Sequence, residues 1–250
     1  MIFSPSLALV LAGGLGTRLR PVLAHRPKSL ALAAGRPFLH YVLDYLKEQG
    51  VRRVILCVGY LASQVQDFAR DGQEWGLEIG YSHEQAALGT GGALRQASAD
   101  LSEPFFALNG DTLFRADLHA LWEQQARLGC LATVALLRAA DGSARGCVRL
   151  AEDGHILAFD EKPNNVETPR RGVSTRLING GVYVLTPQAL ADIPLGQAAS
   201  IEREVFPRLA ARGQLAGLEQ PAYFADIGTP ASLSAFERDV LDERIHRGER

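Results

Sequence analysis

The sequence predicts an α/β protein, a three-layer α/β/α sandwich whose Rossmann-like sheet is mixed but mostly parallel. Through the first half of the 250 residues, short apolar runs alternate with amphipathic stretches, the pattern of βαβ units that cover a parallel sheet on both faces. A glycine-rich turn directly follows the first apolar run. Later apolar runs are separated by Gly, Asp and Pro turns instead of long helices, which predicts a mixed extension of the sheet.

The elements of the first half follow from periodicity and from their boundary residues. The clearest helix spans 37–48, where Pro37 suits a first helical turn, apolar residues recur at helical spacing, and Gly50 ends the run. The other predicted elements of this half are strands at 7–11, 53–58, 77–81 and 105–108, and helices at 62–70, 91–99 and 117–128.

The second half is predicted to be richer in strands. The polar stretch 164–175 contains Pro169 and Gly172 and predicts a mobile loop within the domain. Residues 200–250 predict a helix, two strands and a terminal helix at 230–246, and not the hexapeptide repeats of a β-helix. Apolar runs between turn residues indicate strands at 132–137, 148–150, 156–159 and 181–185.

Composition argues against several classes of protein. The chain is 47% hydrophobic and 22% charged, with a net charge of -2, which is typical of an ordinary soluble domain and not of a polybasic nucleic-acid binder or a disordered acidic tail. The run 7–12 has no positive segment before it and is too short to span a membrane. We therefore expect no nucleic-acid partner, no membrane partner and no secretion.

The cysteines indicate the compartment. Cys57, Cys130 and Cys147 are odd in number and show no metal-like spacing, and Cys57 lies inside the apolar run VILCVGY. We interpret all three as reduced core residues of a cytoplasmic protein. A disulfide or a metal role is the alternative.

The most informative segment opens the first strand and reads LALVLAGGLGTRLRPVLAHRPK. The strand runs into Gly13, Gly14 and Gly16, and glycine lets backbone amides close on phosphate oxygens without a side chain between them. Arg18 offers a planar fork of donors and Lys28 a compact charge on a flexible stem, and both can offset phosphate charge. The segment therefore predicts a nucleoside triphosphate site. A tight strand-to-helix turn with solvated basic residues is the alternative.

This segment fails two common phosphate-loop templates. A Rossmann fingerprint needs a third glycine where Leu19 stands, and a Walker A loop needs Gly-Lys-Ser/Thr after four intervening residues. GGLGTRLRP followed by RPKSL instead resembles the signature of the sugar-1-phosphate nucleotidyltransferases, the nucleotide-sugar pyrophosphorylases. The resemblance implies that the glycines line the triphosphate, that Arg18 contacts the departing phosphates, and that Lys28 supports the reacting phosphoryl group. Leu23 and Ser29 depart from residues common in the family, but neither change removes a charge or a glycine.

Two aspartates end apolar strands that lie far apart in the sequence. FFALNGDTLF carries Asn109, Gly110 and Asp111, and YFADIGTP carries Asp226. Because open α/β sheets bind ligands beyond the carboxyl ends of their strands, the two carboxylates are expected to converge there; a turn or helix cap is the alternative for each. Carboxylates completed by phosphates and water suit Mg²⁺. The resemblance implies that Asp111 and Asp226 bind the catalytic magnesium.

A third segment, HEQAALGTGGALRQA, resembles the base- and sugar-contacting loop of the family. Gly89, Gly91 and Gly92 precede a helix, so that backbone amides can approach a flat or anionic ligand. Glu84 and Gln85 lie nearby. A plain helix entry is the alternative.

The sugar side is predicted from two short motifs. FDEKP carries Glu161 and Lys162 after a strand, and LINGGVYVL carries Asn179 and Gly180 before one. Lysine can pair with the sugar phosphate, and glutamate and asparagine can bind hydroxyls, although a solvated surface ion pair is the alternative for the Glu-Lys pair. The order EKP, NGGVY, D-x-G is that of the family, and the resemblance extends from Leu7 to about residue 230.

The resemblance implies the nucleotide-diphospho-sugar transferase fold, in one domain over 1–250. Its nucleotide-binding half spans about 1–130, its sugar-phosphate-binding half about 131–228, and its terminal helix about 230–246. The predicted catalytic residues are Arg18, Lys28 and Asp111, and the metal ligands for Mg²⁺ are Asp111 and Asp226. The predicted nucleotide-binding residues are Leu11, Ala12, Gly13, Gly14, Gly16, Thr17, Arg18, Lys28, Glu84, Gln85, Gly89, Thr90, Asn109 and Asp111. The predicted sugar-phosphate-binding residues are Gly110, Glu161, Lys162, Asn179 and Gly180.

The implied reaction is attack of a sugar 1-phosphate oxygen on the α-phosphorus of a nucleoside triphosphate, which expels pyrophosphate. Because the attacker is already an anion, no general base is required. AGGLGTRL, HYVLDYL, LGTGGAL and LNGDTLF most resemble the D-glycero-D-manno-heptose 1-phosphate guanylyltransferases, with the mannose 1-phosphate guanylyltransferases next. GTP is the expected donor, ahead of dTTP, UTP and ATP.

Two other classes stay open at this point. A glycosyltransferase of related fold would commonly carry Asp-x-Asp at the metal strand, where this chain has Asn109-Gly110-Asp111. A non-catalytic nucleotide-sugar-binding subunit would be indicated by loss of the charged site residues, but Arg18, Lys28, Asp111 and Asp226 are all present. The oligomeric state is open, since the terminal helix can serve as an interface or cover a sheet edge.

Overall fold

The computed structural model describes residues 6–14, 16, 19, 23, 25–138, 147–160 and 177–246. Its strands are β1 (Leu7–Leu11), β2 (Leu32–Ala33), β3 (Arg36–Pro37), β4 (Arg53–Val58), β5 (Glu78–His83), β6 (Phe105–Asn109), β7 (Thr112–Phe114), β8 (Ala132–Arg138), β9 (Cys147–Leu150), β10 (Ile156–Asp160), β11 (Leu177–Leu185), β12 (Leu215–Glu219) and β13 (Phe224–Asp226). Its α-helices are α1 (Phe38–Glu48), α2 (Ala62–Ala69), α3 (Gly89–Ala97), α4 (Leu118–Leu128), α5 (Phe206–Ala211) and α6 (Pro230–Leu241). A π-helical turn, Ile201–Val205, leads directly into α5.

One sheet of nine strands organises the part of the chain that is described. β1 pairs in parallel with β4 and β6, and β5 pairs in parallel with β4. β11 runs antiparallel to β6, β8 and β9, while β12 is parallel to β8 and β10 is antiparallel to β9. Every strand of this sheet except β10 and β11 therefore runs in one direction, and the predicted mixed, mostly parallel sheet is confirmed.

Helices cover both faces of this sheet because its strands are apolar on both sides. In β1, Ala8 and Val10 belong to one buried cluster and Leu9 belongs to the other. The first cluster also contains side chains of α1, α2, α4 and α6, and the second contains side chains of α3 and α5. Continuous apolar strands of this kind are expected where helices pack on each face, and the predicted three layers are confirmed.

Most predicted elements are present, with shifts of one to two residues at their ends. The helix predicted at 91–99 begins at Gly89 and ends at Ala97. The terminal helix predicted at 230–246 ends at Leu241, because Glu243 adopts a left-handed φ of 57° that an α-helix does not accommodate. A short 3₁₀ turn, Arg244–His246, follows it.

The largest difference concerns β11, for which only 181–185 was predicted. The strand begins at Leu177, so Asn179 and Gly180 lie inside it, and the prediction that they precede a strand is wrong. Pairing with β8 continues on both sides of a bulge between Asn179 and Tyr183. Gly181 lies in the bulge at a φ of 73°, a conformation that glycine adopts without steric cost.

The prediction that both aspartates end strands of the parallel sheet is wrong for Asp226. β13 lies outside the nine-stranded sheet and pairs antiparallel with β7, with Asp226 opposite Thr112. The Ile227 amide donates to the Asp111 carbonyl over 3.1 Å. The two aspartates are therefore brought together by a two-stranded antiparallel ribbon, a pairing that the sequence pattern did not indicate.

The cysteines are all free thiols. Cys57 and Cys130 are buried, as predicted, whereas Cys147 is only partly buried. Burial raises the pKa of the Cys57 thiol, with the Glu84 carboxylate as a smaller cause in the same direction. The predicted loop at 164–175 lies outside the described residues. Within the described ranges, no helix is both long enough and apolar enough to cross a membrane.

Candidate active site

A cleft of about 750 Å³ lies at the carboxyl ends of β1, β4, β5 and β6. Open parallel sheets present ligand sites at this edge, because loops from several strands meet there. The cleft is lined by Leu11, Ala12, Gly13, Gly14, Gly16, Lys28, Ser29, Gly59, Tyr60, Glu84, Gln85, Ala86, Ala87, Gly89, Thr90, Ala93, Asn109, Gly110 and Asp111. Every predicted nucleotide-binding residue that the structure describes is among them.

The glycines after β1 are required by close approaches between backbone segments. A Cβ at Gly13 would lie 2.6 Å from Glu84 Oε1 and 3.0 Å from the Gly59 amide nitrogen. Gly16 adopts a φ of 56°, and a Cβ there would lie 3.0 Å from the Cβ of Lys28. Gly14 has no neighbour within 4 Å of the equivalent position. The turn therefore packs tightly on two sides and is open at Gly14.

Lys28 is the buried cation of the cleft. Its side chain is 10% exposed, and its ammonium group donates to Oδ2 of Asp111, whose side chain is 37% exposed. Burying an ammonium group is costly unless it is paired, so Asp111 holds this charge in place at the cleft. An ammonium group has three donors, which leaves Lys28 able to hold an anionic ligand beside Asp111.

The two predicted metal ligands lie on adjacent chain segments. Asp226 is opposite Thr112 in the ribbon of β7 and β13, one position from Asp111. The Gly228 amide donates to Asp226 Oδ1 over 2.5 Å. A pair of carboxylates is the oxygen-rich donor set that a hard divalent cation prefers, so these residues fit such an ion. Asp226 is not among the residues that line the cleft itself.

Glu84 presents a carboxylate next to Gly13 of the glycine turn. Its Oε2 accepts from the Leu88 amide over 3.0 Å, and Oε1 faces Gly13. Desolvation raises the pKa of this carboxyl group, and the hydrogen bond from Leu88 partly opposes that increase. The side chain is held in position by the loop that follows it, so its carboxylate is a preorganised acceptor in the cleft.

The amino end of α3 is arranged differently from the prediction. The amides of Gly91 and Gly92 both donate to the Ala199 carbonyl, over 2.8 and 3.3 Å, and are therefore committed to the protein. A Cβ at Gly92 would lie 2.4 Å from the Gln197 carbonyl oxygen. These two glycines admit the neighbouring backbone and not a ligand, which corrects the interpretation of their amides as ligand contacts. Gly89 and Thr90 still line the cleft.

A cluster of hydrogen-bonded polar side chains surrounds the buried Tyr183 hydroxyl beneath the cleft. Asn179 Nδ2 donates to the Tyr183 hydroxyl over 2.9 Å, and Asn179 Oδ1 accepts from the Gly181 amide over 2.9 Å. Burial raises the pKa of Tyr183 well above its usual value, the Glu202 charge adds to this, and hydrogen bonds from Asn179 and Asn109 oppose it. Asn179 is thus bonded to protein groups on both sides and does not line the cleft.

Of the five further predicted residues, the structure describes only Gly180. A Cβ at Gly180 would lie 2.3 Å from Phe114 Cδ1, so packing explains this glycine, and it is not a lining residue. The predicted residues Thr17, Arg18, Glu161 and Lys162 lie outside the described residues.

Six lining residues were not predicted, namely Ser29, Gly59, Tyr60, Ala86, Ala87 and Ala93. Gly59 and Tyr60 directly follow β4, so the rule that ligands bind beyond the carboxyl ends of strands was sufficient to find them. Ser29 follows Lys28. Ala86 and Ala87 carry no functional group that a sequence pattern would single out.

Comparison with known proteins identifies the family. Residues 7–243 match the family model described as Nucleotidyl transferase. The chain is 35% identical over 252 aligned residues to the mannose-1-phosphate guanylyltransferase of Mycobacterium tuberculosis, covering 97% of this chain and 68% of that protein. It is 35% identical over 232 residues to the D-glycero-alpha-D-manno-heptose 1-phosphate guanylyltransferase of Campylobacter jejuni, covering 92% of this chain and 97% of that protein.

The curated relatives differ in length from this chain. It spans 59% of the catalytic subunit beta of mannose-1-phosphate guanylyltransferase from Drosophila pseudoobscura pseudoobscura, to which it is 37% identical over 227 residues.

A solved structure shares the fold. The crystal structure of HddC from Yersinia pseudotuberculosis complexed with GMP-PN aligns with a TM-score of 0.78 at 29% identity, covering 94% of this chain and 99% of that one. The family match over nearly the whole chain, the relatives above 30% identity and this structural likeness agree with the cleft at the strand ends. This chain belongs to the nucleotidyl transferase family and is a nucleotidyltransferase of the guanylyltransferase group.

Proposed function

We propose that this protein transfers a guanylyl group from GTP to D-glycero-α-D-manno-heptose 1-phosphate, giving the GDP-sugar and pyrophosphate. The observation that carries the proposal is that the glycine turn, the Lys28–Asp111 ion pair and Glu84 line one cleft. The Campylobacter relative is named for this reaction. The HddC structure, with its bound guanine nucleotide analogue, supports the choice of base.

Guanine fits the Glu84 side of the cleft for a chemical reason. The Watson–Crick edge of guanine presents a ring N–H beside an exocyclic amine, and a carboxylate accepts from two such donors. Thymine and uracil present a single N–H between two carbonyls. A carboxylate repels the oxygens of those carbonyls. The Leu88 amide holds Glu84 Oε2 in place, so the acceptor needs no rearrangement before the base arrives.

The phosphate groups are assigned to the glycine turn and its cations. Gly13 and Gly14 line the triphosphate, Arg18 contacts the departing phosphates, and Lys28 contacts the phosphate at which substitution occurs. We assign Mg²⁺ to Asp111 and Asp226, whose adjacent placement by β7 and β13 supports this choice. When bound, the ion neutralises phosphate charge and orients the triphosphate.

The reaction is a single displacement at phosphorus. A sugar 1-phosphate oxygen forms a bond to the α-phosphorus while the bond to the β-phosphate oxygen breaks, and pyrophosphate leaves with that electron pair. The attacking oxygen is already ionised, so the protein supplies no base. Lys28 offsets the charge that develops on the phosphate, and the tight glycine turn keeps the two anions in line.

The sugar side is assigned to Gly110, Glu161 and Lys162. Gly110 lines the cleft, and a Cβ there would lie 2.5 Å from the Leu11 carbonyl oxygen, so only glycine lets the backbone lie at this depth. We assign Glu161 to the sugar hydroxyls and Lys162 to its phosphate. Asn179 supports the site from below through Tyr183 and Asn109, since its own amide group is already bonded.

Mannose 1-phosphate is the second candidate acceptor. The relatives named for it match this chain at 35% and 37% identity, and two heptose enzymes match it at 35%. We place either reaction in the cytoplasm, where free thiols such as Cys57 persist. Recovery of the protein from a secreted or membrane fraction would contradict that location.

Pyrophosphate release tests the proposal directly. GTP, dTTP, UTP, ATP and CTP are each combined with heptose, mannose and glucose 1-phosphates in the presence of Mg²⁺. We expect release to be fastest with GTP and heptose 1-phosphate, and to disappear when the metal is removed. Fastest release with glucose 1-phosphate and dTTP or UTP would keep the reaction class and reject both the base and the sugar.

A further inference from the structure

The side chain of Thr90 is held by a buried carboxylate from a distant part of the chain. Its hydroxyl donates to Glu202 Oε2 over 2.7 Å and accepts from the Ile201 amide over 3.0 Å. Glu202 is 9% exposed and is not among the residues that line the cleft, whereas Thr90 is. Glu202 therefore contacts the cleft only through another residue.

The carboxylate is itself held in place from its own side. Ser200 donates its hydroxyl to the same Glu202 oxygen over 2.9 Å and accepts from the Arg203 amide over 3.2 Å. The Ala199 carbonyl, one residue earlier, accepts from the Gly91 amide of α3 over 2.8 Å. The segment 199–202 is thereby locked against the amino end of α3, and Glu202 has a fixed position relative to Thr90.

This arrangement determines what Thr90 can offer a ligand. A hydroxyl has one proton to donate and two lone pairs to accept with. An ionised carboxylate only accepts, so the proton of Thr90 must point to Glu202, and the Ile201 amide occupies one lone pair. The one hydrogen-bonding position left on the Thr90 oxygen is a lone pair. Any hydrogen bond that this hydroxyl makes to a ligand in the cleft is therefore one that it accepts and not one that it donates.

We infer that Glu202 is a positioning residue that makes Thr90 an obligatory acceptor for a hydrogen-bond donor of the nucleotide. This inference rests on the proposed function only in taking the cleft as the nucleotide site. Two groups of GTP have the required chemistry, the exocyclic amine of the base and a ribose hydroxyl. Glutamine at 202 would remove the constraint, because its amide can donate to Thr90 and so release the threonine proton towards the cleft.

A double-mutant cycle separates this role from a structural one. Glu202→Gln and Thr90→Val are each expected to raise KM for GTP by about fivefold to tenfold, the usual effect of one lost hydrogen bond. We expect kcat and KM for the sugar 1-phosphate to change less than twofold. In the Thr90→Val background, Glu202→Gln is expected to have no further effect, whereas in the Thr90→Ser background, which keeps the hydroxyl, its effect persists.

The matched control is Glu204→Gln, the same chemical change two residues along the same helical turn. Glu204 is exposed and accepts from the Ser200 amide over 2.8 Å, so this variant should keep the KM for GTP of the unaltered protein. An equal effect of Glu202→Gln with and without the Thr90 hydroxyl overturns the inference. A rise in KM confined to the sugar 1-phosphate also overturns it.

Nucleotide analogues identify the donor and need no change at Glu202. ITP lacks the amine, and 2′-deoxy-GTP and 3′-deoxy-GTP each lack one ribose hydroxyl. For one of these analogues, KM should not change with Thr90→Val, and the group that this analogue lacks is the donor. If Thr90→Val raises KM for every analogue as much as it does for GTP, the inference is wrong. This outcome can be read even where Glu202→Gln fails to fold. The cycle uses whichever triphosphate the unaltered protein turns over, so a failure of guanine specificity is recognised separately.

Discussion

The Glu84 carboxyl group is only partly buried, yet desolvation raises its pKa above the usual value of 4.5. Protonation removes the acceptor that guanine needs, so the affinity for GTP should fall as the pH drops through this raised pKa. The loss should therefore begin at a higher pH than an exposed glutamate would show. We expect KM for GTP to rise with acidity in the unaltered protein and to be high but nearly independent of pH in Glu84→Gln.

The same pKa shift has a consequence for stability. A carboxyl whose folded-state pKa is raised above its unfolded value is costly when ionised, so its contribution to stability decreases as the pH rises from 4.5 through the folded pKa. Glu84→Gln should gain stability relative to the unaltered protein across that interval. Glu103→Gln, the same change at an exposed position, is the control for both measurements. Equal pH profiles for Glu84→Gln and the unaltered protein would contradict the assignment of a raised pKa to Glu84.

Lys28 lies at the point where phosphate charge has to be offset. Replacing it by alanine removes the buried ammonium group and leaves Asp111 without this partner. We expect a loss of ~2–4 kcal/mol in transition-state stabilisation, about 30- to 1000-fold in kcat/KM, by comparison with other electrostatic deletions. Steady-state kinetics of Lys28→Ala are to be compared with those of Lys47→Ala, whose lysine is exposed on α1. Equal rates for the two variants would remove Lys28 from the mechanism.

At the scale of elements, β11 shows how one strand serves both the core and the site. It pairs with β6, β8 and β9, and its bulge places Tyr183 against Asn179 and Asn109 beneath the cleft. A regular strand would keep Asn179 and Tyr183 on one face but would hold them about 13 Å apart along the strand, too far for their hydrogen bond. The bulge therefore supports the part of the cleft that carries Asn109 and Asp111.

Gly180 tests this packing. A Cβ there would lie 2.3 Å from Phe114 and 2.9 Å from the Ala135 carbonyl oxygen. Gly180→Ala should therefore destabilise the protein by ~1–3 kcal/mol through overpacking. Gly80→Ala is the matched control, since Gly80 also lies in a strand, is exposed and has nothing within 4 Å of the new methyl group. Chemical denaturation should separate the two variants, and equal midpoints would show that β11 can shift to accept a side chain.

At the scale of the whole molecule, the site is assembled from segments that are remote along the chain. Lys28 and Asp111 are 83 residues apart, and Thr90 and Glu202 are 112 apart. A ligand that contacts such segments together binds the folded chain and not the unfolded one. It should therefore stabilise the fold as a whole.

Thermal unfolding measures this coupling. At 100 times its Kd, GTP with Mg²⁺ should add about 2.7 kcal/mol, which corresponds to a Tm increase of roughly 5–10 °C for a chain of this size. Most of the increase should disappear with EDTA, and also in Asp226→Asn even when Mg²⁺ is present. A full increase without a divalent ion would contradict the placement of the metal between Asp111 and Asp226.

Local patterns were sufficient to predict the layers, most helices and strands, and the glycine turn with Lys28. These features depend on residue spacing and on the conformations that glycine permits, both of which can be read from neighbouring residues. They also include Asn109 and Asp111, which lie at or just beyond the end of β6, whereas Glu84 is indicated by the resemblance of its segment to the family. The strand-end rule is sufficient for such residues since it needs no knowledge of distant pairing.

Other features depend on pairing between distant segments and appear only in the folded chain. The ribbon of β7 and β13 places Asp226 beside Asp111. The Ala199 carbonyl accepts from the amides of Gly91 and Gly92, which the sequence pattern alone assigns to a ligand. Glu202 reaches Thr90 in the same way. No local pattern records which remote backbone will occupy the space beside a glycine, because chain topology decides it.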